Sequence, residues 1–124
     1  MKPAIPTFKA AILVAALLAG PAHAAASDKT FHLGIVGGQV SAQERVMRVD
    51  QGDRVHVRAV SDALGELHLH GYRVAATLKP GAVADMTFKA YATGRYPFEW
   101  HAAGDGPPRA HHGPPLAAIE VRPK

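Results

Sequence analysis

The chain has 124 residues, no cysteine and a formal net charge of +4 with histidine neutral. The missing thiols exclude disulfide staples, cysteine nucleophiles and every thiolate metal site. Lys2 and Lys9 belong to an N-terminal segment of separate character, beyond which the formal charge falls to +2, too mild to argue for a nucleic-acid partner.

That segment has the order of parts of a secretory leader: the two lysines, an apolar run over 10–19, Gly20-Pro21, and the small-residue sequence Ala22-His23-Ala24. Cleavage is expected after Ala24, with Ala26 as the second choice. Residues 1–24 are therefore set aside as a signal peptide, and 25–124 are taken as one small domain. The apolar run is too short for a permanent membrane anchor, and no later segment is apolar for longer. The expected location is the periplasm, if the source is Gram-negative, or the medium.

Residues 30–36 alternate Phe31, Leu33 and Ile35 with His32 and Gly34, which predicts a strand ended by Gly37-Gly38. One turn of helix is allowed near 41–44. A strand over 43–49 is followed by Asp50-Gln51-Gly52-Asp53, a turn sequence, and then by alternation over 54–60. These two strands are expected to form a hairpin.

The next segment, Glu66-Leu67-His68-Leu69-His70-Gly71-Tyr72, places Leu67 and Leu69 on one face of a strand and both imidazoles on the other. Their Cα atoms would lie about 6–7 Å apart, close enough for long side chains to converge on one ion. A short apolar strand over 74–78 stops at Lys79-Pro80-Gly81, and Met86, Phe88 and Ala90 alternate in the one after it. Residues 95–101 set Tyr96, Phe98 and Trp100 against Pro97, Glu99 and His101, so this strand should supply much of the aromatic core. Pro97 lacks a donor, which predicts an edge position or a bulge. The Gly- and Pro-rich stretch 102–115 carries His111 and His112, and a last strand follows over 116–122. Many short strands with turn signals and no amphipathic helix predict an antiparallel β-sandwich.

Three pieces together resemble the cupredoxin-like family of exported domains. They are Leu67-His68-Leu69-His70-Gly71-Tyr72; the Pro80-Gly81 turn with Met86-Thr87-Phe88-Lys89-Ala90 and Gly94-Arg95-Tyr96-Pro97-Phe98-Glu99-Trp100-His101; and the closing strand behind a His-bearing loop. The resemblance implies an all-β, cupredoxin-like Greek-key β-sandwich with a copper site, and it also exposes two departures. The ligand Cys of blue-copper members falls on Trp100, and their axial Met falls near Pro115. Without sulfur, a blue-copper electron carrier is excluded.

The family places its ligands near one end of the sandwich, which implies a non-thiolate centre of His68, His70 and His101 with His111 or His112. Copper is the expected ion and zinc the next. Glu66 and Glu99 share faces with these residues, as extra ligands or as acceptors that fix a ring tautomer. The competing reading makes the histidines ordinary solvent-facing strand positions and the domain a metal-free interaction or structural module. A third reading has the domain passing metal to a protein partner in a transport system. His32 and His56 are taken as structural. Ser27, Ser41 and Ser61 lie in no nucleophile setting, so no enzyme is expected.

Overall fold

The computed structural model describes residues 2–5, 19–20, 25–106 and 114–124. Most of the expected leader, and both His111 and His112, lie outside the described residues.

Alternation decides the elements. β1 (Asp28–Ile35), β2 (Val46–Asp50), β3 (Arg54–Ser61), β4 (Gly65–Leu69), β5 (Val74–Leu78), β6 (Ala84–Lys89), β7 (Gly94–Ala102) and β8 (Ala117–Arg122) form two sheets, ordered β1-β3-β6 and β2-β8-β7-β4-β5. β1 pairs with β3, and β2 with β8, in parallel; the other pairings are antiparallel. The core lies between the sheets and is built from every second residue: Leu33 and Ile35, Val55, Val57 and Ala59, Leu67 and Leu69, Met86, Phe98, and Ile119 are all buried. An all-β Greek-key sandwich therefore forms, but with two parallel pairings where wholly antiparallel ones were expected, because β1 and β2 are each joined to a strand that runs their own way. No helix among the described residues is long and apolar enough to cross a membrane.

The turn at 50–53 was expected to close a hairpin, and instead it carries the chain from one sheet to the other. Gly52 takes φ 94° and donates its N–H to the Ala90 carbonyl at 2.7 Å. The buried Asp53 carboxylate accepts from the Asp50 N–H at 3.0 Å, and from the N–H and hydroxyl of Ser27 at 3.2 and 3.1 Å. Tied on both sides, the turn delivers β2 to β8 and β3 to β1 and β6. The strand expected from residue 43 also starts later, because Ala42–Glu44 form a 3-10 turn. Glu44 fixes it by accepting from the Ser41 hydroxyl at 2.7 Å and from the Gly34 N–H at 3.0 Å.

Two expectations for β7 need correction. Only Phe98 is fully buried, while Tyr96 and Trp100 are half-buried against the core. β7 is also an interior strand, between β8 and β4. Pro97 is tolerated there because it sits one rung beyond the β4 ladder, where its carbonyl accepts the His70 N–H at 3.0 Å and its own missing donor faces the turn that follows β4.

Candidate functional site

Gly65, Leu67 and Leu69 take the inner side of β4, so Glu66 and His68 must take the outer one. β7 runs antiparallel beside it, in a register that opposes Glu66 to His101 and His68 to Glu99. Both strands carry a Glu-x-His triplet, Glu66-Leu67-His68 and Glu99-Trp100-His101. Antiparallel pairing of the two sets each carboxylate across from the other strand's imidazole. The outer face thus carries a checkerboard of two acids and two bases, and His70 extends it by one residue past the end of β4.

The three imidazoles come close to one another. The His68 and His101 ring centroids are 5.4 Å apart with their planes perpendicular, and those of His68 and His70 are 6.4 Å apart. Glu66 contacts His68 through Nε2; Glu99 Oε2 lies 3.0 Å from His70 Nε2 and 3.7 Å from His101 Nε2. The His68 and His70 side chains are 41% and 51% exposed, against 21% for His101. On the far side of β4 stand Ala75 opposite His68 and Thr77 opposite Glu66, too small to cover the row. Two shallow hollows result: one of about 390 Å³ bordered by Glu66, His68 and His101, the other of about 370 Å³ bordered by His68, His70 and Arg73.

The residues expected at one end of the sandwich are therefore found along the open face of the larger sheet. His68, His70 and His101 are brought together there. His32 and His56 belong to the other sheet, where His56 Nδ1 lies 3.3 Å from the Thr87 hydroxyl.

The donors suit a cation, and their arrangement is only part of the way there. Imidazole nitrogen and carboxylate oxygen are ligands that Cu(II) and Zn(II) accept. Two imidazoles on one tetrahedral ion have centroids about 5 Å apart, near the His68–His101 spacing. Among the described residues, however, no group of three or more His, Asp or Glu is gathered tightly enough to hold an ion. The carboxylates stand at the Nε2 atoms a metal would take, so binding needs these exposed side chains to turn.

Sequence reasoning missed Gly65. A Cβ there would lie 2.6 Å from the Trp100 ring and 2.6 Å from the His101 carbonyl oxygen, so only glycine lets β7 lie this close to β4. The signal available was a glycine directly before the first Glu-x-His triplet. Gly71 follows the end of β4 with φ 86°, in a position where a Cβ would run into the Tyr96 ring. Tyr72 beyond it donates its hydroxyl to the Ala92 carbonyl at 2.8 Å, with its ring against Phe88, Tyr91 and Tyr96.

No protein-family model matches the chain, and no curated protein matches it in sequence. Solved structures do resemble it. A multicopper oxidase from Pseudomonas thermotolerans superposes with a TM-score of 0.59 at 20% identity, over 80% of this chain and 30% of that one. A heme-copper terminal oxidase gives 0.57 at 20% identity, over 77% and 65%. A copper binding protein solved in its apo form gives 0.55 at 10% identity, over 81% and 93%. The chain thus spans under a third of the first protein and just under two thirds of the second. These likenesses show the fold, a cupredoxin-like β-sandwich.

Proposed function

We propose that this is an exported copper-binding domain with a histidine-based, non-thiolate site on the outer face of its larger sheet, acting in periplasmic metal handling. The observation that carries the reading is the convergence of three imidazoles, His68, His70 and His101, with two carboxylates on one uncovered face. Copper-related proteins among the similar structures support it. Zinc is the second ion the donors suit.

His68 and His101 would hold the ion, with Glu66 beside them and His70 as a further donor. Bound copper would supply a Lewis-acidic, redox-active centre. The chain's own part is to seat the imidazoles on a strand pair and to hold Glu99 at the Nε2 atoms of His70 and His101. There it would orient a ring that gave its Nδ1 to the ion, and would have to turn aside for an ion at Nε2. An open, half-exposed site suits capture and handover to a protein partner better than catalysis. The test is the electron paramagnetic resonance spectrum of residues 25–124 with one equivalent of Cu(II). An axial signal with nitrogen coupling, lost in His68→Ala/His101→Ala, supports the reading; a spectrum equal to copper in buffer sinks it.

The metal-free interaction module has its own support: each of the three Nε2 atoms already faces a carboxylate. Under that reading Cu(II) and Zn(II) leave the melting temperature unchanged.

A further inference from the structure

The first residue tied into the fold is Ser27. Its carbonyl accepts the Arg54 N–H at 2.9 Å, while its own N–H and hydroxyl both point to Asp53 Oδ1. Ala25 and Ala26 before it are exposed and in no strand. Asp53 is 2% exposed, and no ion pair reaches its carboxylate among the described residues. Its charge is met only by neutral donors and, through space, by Lys29. Hydrogen bonds already favour its charged form, and an ammonium in contact would favour it further.

The leader offers two places to cut. Ala24-Ala25-Ala26 meets the small-x-small requirement as well as Ala22-His23-Ala24 does. Cutting after Ala26 turns the Ser27 N–H into an α-ammonium, at the atom that now lies 3.2 Å from Asp53 Oδ1. Cutting after Ala24 leaves that atom an amide and puts the new charge two exposed residues away.

We propose that the leader is cleaved between Ala26 and Ser27, and that the α-ammonium released is the counter-ion of the buried Asp53 carboxylate. Hydrolysis adds one water across the Ala26–Ser27 peptide bond, giving the Ala26 carboxylate and the Ser27 amine, which is protonated at neutral pH. The mature chain then carries its own first atom as the contacting cation that Asp53 has from no other group among the described residues. This inference rests on the export reading, and it is independent of the metal.

The test begins with the full chain expressed from its own leader in a Gram-negative host, and the intact mass of the periplasmic product. The mass of 27–124 is expected; that of 25–124 overturns the cleavage position, and an uncut chain overturns it together with export. Chain 27–124 is next compared with the same chain acetylated on Ser27, which keeps the N–H and removes the charge. The free amine should melt about 5 °C higher, and Asp53→Asn should abolish the gap. Equal melting of the two chains overturns the counter-ion role. Cu(II) binding should be the same with and without acetylation, so failure here leaves the metal site standing.

Discussion

The β4–β7 patch of the larger sheet and the outer face of the smaller sheet pair their carboxylates with different cations, while the β2–β8 side of the larger sheet uses arginine, with Arg48 and Arg95 on Glu120. On the three-stranded sheet, Arg54 and His56 face Asp28 at 3.5 and 3.6 Å, and Arg58 faces Asp85 at 3.1 Å. On the five-stranded sheet, the ion-pair partners of Glu66 and Glu99 among the described residues are imidazoles. Guanidinium keeps its proton and has no lone pair to give. Imidazole can lose a proton and become a ligand. Alternation puts polar residues on both faces, and three imidazoles meet on the β4–β7 patch, whereas on the smaller sheet His56 stands with Asp28 among arginines.

The sharpest way to break this contrast is Gly65→Ala. Its Cβ would force β7 from β4 and scatter the imidazole face, at a cost of about 3 kcal/mol. Hydrogen exchange should show β4 and β7 loosened, with β1, β3 and β6 still protected; uniform loosening would show that the faces are not separable. Next in size, His68→Ala/His101→Ala should lower Cu(II) affinity about a hundredfold, or about 2.7 kcal/mol, in isothermal titration. His32→Ala/His56→Ala should leave it unchanged. Equal losses would mean that copper reads histidine content and not the face.

The acid response should belong to neither face. Burial pushes the Asp53 carboxyl up, but hydrogen bonds from Asp50 and Ser27 and the Lys29 charge outweigh it and hold it below the usual carboxylate range. A depressed group contributes stability above its unfolded value, near 3.9, and loses it as pH falls through the folded one. Wild type should therefore lose stability below about pH 4. Asp53→Asn should flatten that limb and cost about 2 kcal/mol at pH 7, read by urea melts. Smaller still, Glu99→Gln should weaken Cu(II) about tenfold by removing the acceptor beside His70 and His101. Arg58→Ala on the other face should change stability by about 0.5 kcal/mol or less and copper affinity not at all.

Much of this was legible in residue order. The alternation of Leu67 and Leu69 with His68 and His70 fixed which side each would take, and β4 obeys it. The partner strand was less legible, because register depends on the whole sheet. Nothing in Glu99-Trp100-His101 by itself says that His101 will lie opposite Glu66 and not two residues away. The 50–53 turn shows the same limit: its residues announce a reversal, while the sheet that receives β3 is set by Ser27 and Ala90, distant in sequence. Pro97 misled for a related reason, since its tolerance depends on where the neighbouring strand stops.

The parallel pairing of β2 with β8 has a consequence in time. Val46 aligns with Ala118, and among the described residues β8 is the only strand beside β2. Nearly the whole domain must emerge before β2 can be enclosed, and half of β7 waits for the same strand. Such remote pairings make for slow closure, on the order of milliseconds to seconds. Under the export proposed above, the delay would be an advantage, because a chain threaded across a membrane unfolded could not lock its sandwich until β8 had come through.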